Sequence, residues 1–164
     1  MVLWAAFGSF LSCTFEGSRS NSELVSKNIH VTSKYIDCNQ HVSESSYHKI
    51  AIDLLQMLHE ELGLNDCFSD EQTAPIVFSS TIDFFREVFL EEEITITVVL
   101  EPESSDFRKW SRIFEIYNQV VELSTKIVSR GAFFDLSIRK VKTPSSTLFE
   151  AFKSHNLIRS EHLY

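Results

Sequence analysis

The chain has 164 residues, a length suited to one domain. With 43 % apolar residues, 14 phenylalanines and 23 % charged residues, it can bury a sizeable core and is not a disordered chain. A net charge of −8 excludes a general nucleic-acid binder, and 4 glycines with 3 prolines exclude collagen-like and linker-like compositions.

Residues 1–15 are mostly apolar, but no Lys or Arg precedes Arg19. A secretory signal needs a basic segment ahead of its apolar core, and a membrane span needs roughly 20 apolar residues. Residues 1–24 therefore read as an N-terminal extension, or an extra strand or helix docked on a single domain over 25–164. Six serines and one basic residue over 9–26 keep an organelle-targeting reading alongside. Residues 16–28 are polar and serine-rich, a candidate linker. The odd set Cys13, Cys38 and Cys67 is no disulfide framework and points to a reducing compartment, the cytoplasm. No Cys-x-x-Cys or His-x-x-x-His spacing suggests a metal.

Ile29, Val31, Thr32 and Tyr35 read as a short strand. A polar knot follows, Asp37-Cys38-Asn39-Gln40-His41. The spacing of Tyr47, Ile50, Ala51, Leu54, Leu58 and Leu62 predicts a helix over 44–62, buried on most of its surface. Ser43 can cap it, Glu44 suits its positive end, and Gly63 is placed to end it. After a polar loop over 65–74 the period becomes two. Ile76, Phe78, Ser80, Ile82 and Phe84 are expected on one strand face, Ile94, Ile96, Val98 and Leu100 on the next. Trp110, Phe114 and Ile116 follow in a third, with Arg112 the odd member. The last long strand runs from Glu122 to Ile138, and its apolar set switches parity at Gly131, which predicts a β-bulge there. Thr143-Pro144 then opens a short helix through Phe152. Four consecutive strands with short connections favour antiparallel neighbours, and one helix against one sheet is an α+β arrangement.

Asp37, Asn39 and His41 alternate, so extended backbone places their side chains on one side. The free N–H groups of a helix start lie just beyond and favour developing negative charge. Taken alone, Asp and Asn at such a place read first as turn and cap residues.

The run from Asp37 to Tyr47 resembles the active-site signature of hot-dog thioesterases, of the 4-hydroxybenzoyl-CoA thioesterase and acyl-ACP thioesterase types. Asp37, Asn39, Gln40, His41, Val42 and Tyr47 match the plant form Asp-x-Asn-Gln-His-Val-Asn-Asn-x-x-Tyr, and Ser43-Glu44 replaces its Asn-Asn pair. Phe85-Arg86-Glu87 with Glu91–Glu93, and Phe134-Asp135-Leu136 with Arg139-Lys140, resemble later segments more weakly. The resemblance implies a hot-dog fold, an antiparallel sheet of about five strands wrapped around one long central helix. It implies a thioesterase acting on acyl-CoA or acyl-ACP, with Asp37, Asn39 and His41 catalytic and no cofactor. Val42, Ser43, Glu44, Tyr47, Arg139 and Lys140 would bind substrate.

Because such a chain carries one hot-dog unit, a homodimer or homotetramer is expected. Two other readings stay open: a non-catalytic acyl-thioester-binding or protein-binding dimer, and an enoyl-thioester hydratase, which the spacing disfavours because its His falls at Val42. Cys38 is a conceivable nucleophile. The basic stretch with Arg130, Arg139, Lys140 and Lys142 can receive coenzyme A phosphates or an acidic carrier, or can simply be a solvated face.

Overall fold

The computed structural model describes residues 25–159. In chain order these form β1 (Val25–His30), α1 (Glu44–Glu61), α2 (Leu64–Asp70), β2 (Thr73–Phe84), β3 (Glu93–Pro102), β4 (Lys109–Tyr117), β5 (Leu123–Asp135), β6 (Lys140–Val141) and α3 (Ser146–Ser154). The sheet is antiparallel in the order β1-β3-β4-β5-β2, with the short β6 pairing the end of β5. It curls around α1, which is the expected α+β architecture.

The helix forms where the apolar stripe lies. Tyr47, Ile50, Ala51, Leu54 and Leu58 are all buried, and they recur every three or four residues. Ser43 closes its first turn by accepting the Ser46 N–H at 3.2 Å. Gly63, at φ +66°, ends it and starts α2. The stripe packs on Ile94, Ile96 and Val98 of β3, Phe114 and Ile116 of β4 and Ile127 of β5, all buried. No described helix is long and apolar enough to cross a membrane. The extension expected over 1–24 lies outside the described residues.

Several elements differ from their expected forms. The first strand is earlier, because Val25 to His30 pair with β3 and only a 3₁₀ turn, Ser33–Tyr35, follows. Its polar residues mimic a linker because an edge strand turns much of its surface to water. The expected polar loop contains α2, whose Leu64 and Phe68 are buried four residues apart while its polar residues face out. The cap of the last helix is Ser145 rather than Thr143, with the Leu148 N–H donating to its Oγ at 3.1 Å.

The strand phases also differ. β2 does not neighbour β3; it pairs with β5, and the connection from β2 to β3 crosses the start of α1. The register shift falls between Val77 and Ser79, opposite Gly131 and Arg130, so the bulge is in β2 and not at Gly131. One extra residue there moves Ser80, Ile82 and Phe84 onto the face opposite Ile76. β5 keeps one phase throughout, with Thr125, Ile127, Ser129, Gly131 and Phe133 buried on alternate positions. Leu136 and Ile138, expected on that strand, lie beyond its end and are exposed.

Gly131 serves a close approach. A Cβ there would run into the Ile76 carbonyl oxygen of β2 and stand 2.6 Å from Trp110 Cη2 and 2.7 Å from its Cζ2. Trp110 is fully buried and is the cross-strand partner of Gly131, so its ring occupies the space a side chain would need. Gly131→Ala is expected to cost about 1–3 kcal/mol through overpacking. Urea unfolding checks this, and an unchanged midpoint would mean that both the Trp110 ring and the β2 backbone at Ile76 shift freely.

Candidate active site

The segment from Ile36 to Val42 is a tight hairpin closed by the bridge between those two residues. The Asp37 N–H donates to the His41 carbonyl at 3.1 Å, and the Gln40 N–H donates to the Asp37 carbonyl at 3.0 Å. Gln40 takes φ +66° at the tip. Asp37 also fixes the turn with its side chain, since Oδ1 accepts the Asn39 N–H at 2.8 Å. That is the local turn role its residue type suggests, and it leaves Oδ2 outside this bond.

The β2–β3 connection meets this hairpin. The Val42 N–H donates to the Val88 carbonyl at 2.9 Å, and His41 bridges Phe89. Val88 is fully buried, which anchors the crossing segment under the start of α1. Behind it, the Ser124 carbonyl accepts the N–H groups of Phe85 at 2.8 Å and Arg86 at 3.2 Å. The Ser124 hydroxyl donates to the Arg86 carbonyl at 2.8 Å and accepts from the buried Tyr47 hydroxyl at 3.2 Å. Burial pushes the Tyr47 phenol above its ordinary pKa, so it stays a neutral donor.

These contacts enclose a cavity of about 360 Å³ at the N-terminal end of α1, lined by His41, Val42, Glu44, Tyr47 and the Phe84–Glu87 segment. A more open cleft of about 530 Å³ adjoins it, lined by Asp37, Ser43, Glu44, Ser45, His48 and Ile82. Glu44 borders both. His41 Nδ1–H donates to the Val42 carbonyl at 3.1 Å, which turns Nε2 toward Glu87 Oε1 at 3.7 Å. The ring is about a quarter exposed, at 28 %.

The expected residues therefore divide. His41, Val42, Glu44 and Tyr47 share the cavity, and Asp37, Ser43 and Glu44 share the cleft beside it. Asn39 is exposed at the hairpin tip. Arg139 and Lys140 are not brought to this place, because they follow the Asp135 end of β5 while Ser124 and Thr125 mark the cavity end. Ten residues of strand between Thr125 and Asp135 span roughly 33 Å. Cys38 is exposed on the hairpin and lines neither space.

Glu87 is the functional candidate that spacing along the chain did not single out. Its signal was the adjacent Arg86-Glu87 pair, but only the crossing of the β2–β3 connection over the start of α1 brings it to His41. The apolar walls Phe84 and Phe85 and the support of Ser124 are likewise tertiary.

Residues 31–152 match the sequence pattern of a family described as the thioesterase-like superfamily. No curated protein matches the chain. Among solved structures, a hypothetical protein from Staphylococcus aureus in complex with CoA superposes with a TM-score of 0.72 at 14 % identity, covering 85 % of this chain and 88 % of that one. A 1,4-dihydroxy-2-naphthoyl-CoA thioesterase from Synechocystis does so with a TM-score of 0.66 at 14 % identity, over 79 % and 94 % of the two chains. A 12:0-ACP thioesterase from Umbellularia californica gives 0.72 at 11 % identity over 91 % of this chain, which spans 58 % of that one. At these identities the likeness establishes the hot-dog fold.

Ser124→Ala is expected to destabilise the protein by about 1–2 kcal/mol, since it removes the donor to Arg86 and an acceptor for a buried phenol. Adding Tyr47→Phe should recover part of that loss in thermal unfolding. Independent, additive effects would mean that the two hydroxyls are not coupled.

Proposed function

The chain belongs to the thioesterase-like superfamily, and from that premise we propose that it hydrolyses an acyl thioester of coenzyme A or acyl carrier protein. The observation that carries the reading is the cavity at the N-terminal end of α1, where an imidazole, carboxylates and a helix start converge beside apolar walls. The thioester carbonyl would sit against that end, where the N–H groups of Glu44 and Ser45 head the helix without carbonyl partners four residues back inside it.

Asp37 acts as the general base. Its Oδ1 is held by the Asn39 N–H, and Oδ2 takes a proton from water as the water oxygen bonds to the carbonyl carbon. The helix-start N–H groups stabilise the oxyanion that forms, while Asn39, exposed at the hairpin tip, serves by holding Asp37 through its backbone N–H. As the carbonyl re-forms, the C–S bond breaks, and the sulfur leaves as a thiol, taking through His41 the proton that Asp37 removed from water. Glu87 orients that imidazole through Nε2. The products are a carboxylic acid and a free thiol, with no cofactor required. The free thiols of Cys38 and Cys67 support residence in the cytoplasm.

Asp37→Asn separates the turn from the chemistry. The amide keeps an oxygen for the Asn39 N–H, so the fold should hold, yet it cannot take a proton. Thiol release from an acyl-CoA is expected to fall about 10²–10⁴-fold with an unchanged Tm. Activity within threefold of wild type would remove Asp37 as the base. Tight acyl-CoA binding with no thiol release by the wild type would instead favour the non-catalytic reading, to which the charge of Glu44 at the helix start is favourable.

The unit acts at least as a homodimer, with a homotetramer as the larger form. Along the outer side of β2 no strand pairs among the described residues, and Ile76, Val77 and Phe78 are exposed there. Such an edge suits a second copy of the same strand. Light scattering should give a mass of at least twice 18.9 kDa at micromolar concentration, and a monodisperse monomer would overturn this.

A further inference from the structure

Toward the other end of α1, the inner face of β4 holds a charge that the proposed reaction does not use. Arg112 is 5 % exposed and stands between Trp110 and Phe114, its guanidinium carbon 5.4 Å from each ring centroid. Arg112 makes no hydrogen bond or ion pair to a protein group among the described residues, and its buried Nε has no partner. Trp110, fully buried, has an Nε1 in the same condition. Both residues line one small cavity between α1, α2, α3 and the sheet, and its other walls include Leu55, Phe68 and Phe133.

Among the described residues nothing acidic lines this place. The lining residues from α1, α2, α3 and strands β2 to β5 are apolar except His59, Trp110 and Arg112. Burial and the neighbouring Arg112 charge pull the His59 pKa down to about 4, so its imidazole is neutral at pH 7. Burial lowers Arg112 to about 10, which still leaves it charged. A buried donor left without an acceptor is costly, and two of them, Arg112 Nε–H and Trp110 Nε1–H, border this cavity.

The cavity has a volume of about 20 Å³, and a single water needs about 10–15 Å³. It therefore takes one small species. That species must accept from Arg112 Nε–H and Trp110 Nε1–H beside a fixed positive charge. A water would satisfy both donors but bring two O–H groups of its own, and among the lining side chains the His59 ring nitrogen is the one acceptor for them. A monatomic anion accepts both and donates nothing. Sulfate and phosphate are too large for the space.

We propose that this cavity binds one monovalent anion of chloride size, held by Arg112 and Trp110, which braces the C-terminal half of α1 against the sheet. The site is separate from the His41 cavity: Tyr47 and Leu55 line the two spaces from positions eight residues apart on α1, about 12 Å along its axis.

The test uses the full chain carrying Trp4→Phe, so that Trp110 is its only indole. Bromide is titrated against gluconate at constant ionic strength, with Trp fluorescence as readout. Saturable quenching that chloride reverses is expected, together with a saturable rise in Tm of several degrees with chloride. Arg112→Met should abolish the saturable component, and Arg112→Lys, which keeps charge but loses Nε–H, should weaken it at least tenfold. Should Arg112→Met fail to fold, the bromide and chloride competition in the Trp4→Phe protein decides by itself. Linear quenching that chloride does not reverse would overturn the proposal, as would saturable binding unchanged by Arg112→Lys. Formate binding more tightly than chloride would overturn the monatomic assignment and make the site a carboxylate subsite.

Discussion

A single sheet has to cover the apolar surface of one helix, and most of the structure follows from that requirement. The stripe Tyr47-Ile50-Ala51-Leu54-Leu58 cannot be left to water, and burying side chains of this size contributes about 1.5–3 kcal/mol each. A flat sheet would cover one side only. The curled sheet reaches further round by adding β2 beyond β5, and this long pairing leaves β2 as an edge. The bulge at Val77–Ser79 belongs to the same solution, because it lets β2 change which face it turns to the helix along its length.

The cavity is a by-product of that strand order. The chain leaving Phe84 has to travel across the start of α1 to reach β3, and it is tied down by Ser124 behind and by the Val42–Val88 hydrogen bond in front. Residues from three separate stretches, 37–47, 84–89 and 124, meet there. Its polar groups are held largely by backbone: a turn holds Asp37, a carbonyl holds His41 Nδ1, and a cap holds Ser43. Side chains fixed in this way lose little freedom when a substrate arrives, which is what preorganisation requires.

Polar groups inside the fold are handled in two contrasting ways. Around Tyr47 and Ser124 each hydroxyl finds a partner, and the network stiffens the cavity wall. Around Arg112 the flanking groups are aromatic faces, which favour the cation without satisfying its N–H groups. The first is a closed structural network. The second leaves two donors without protein partners beside a cavity, which is why it reads as a binding place.

The sequence by itself determined the local chemistry. Helix α1, its cap at Ser43, its stop at Gly63, the strands β3 and β4 and the polar turn before the helix were all legible, because periodicity, capping and turn preference act within a few residues. The motif from Asp37 to Tyr47 was legible for the same reason, being contiguous. Tertiary structure decided what depends on distant partners. It placed the bulge in β2 instead of β5, since a phase shift in one strand can be taken up by its neighbour. It turned a polar stretch into edge strand β1 and another into α2, because burial of Val25, Leu64 and Phe68 outweighs a polar composition. It set Glu87 against His41 and left Arg139 and Lys140 at the far end of the sheet, because proximity across a curled sheet is fixed by strand order and register, neither of which is written in the spacing of residues along one strand.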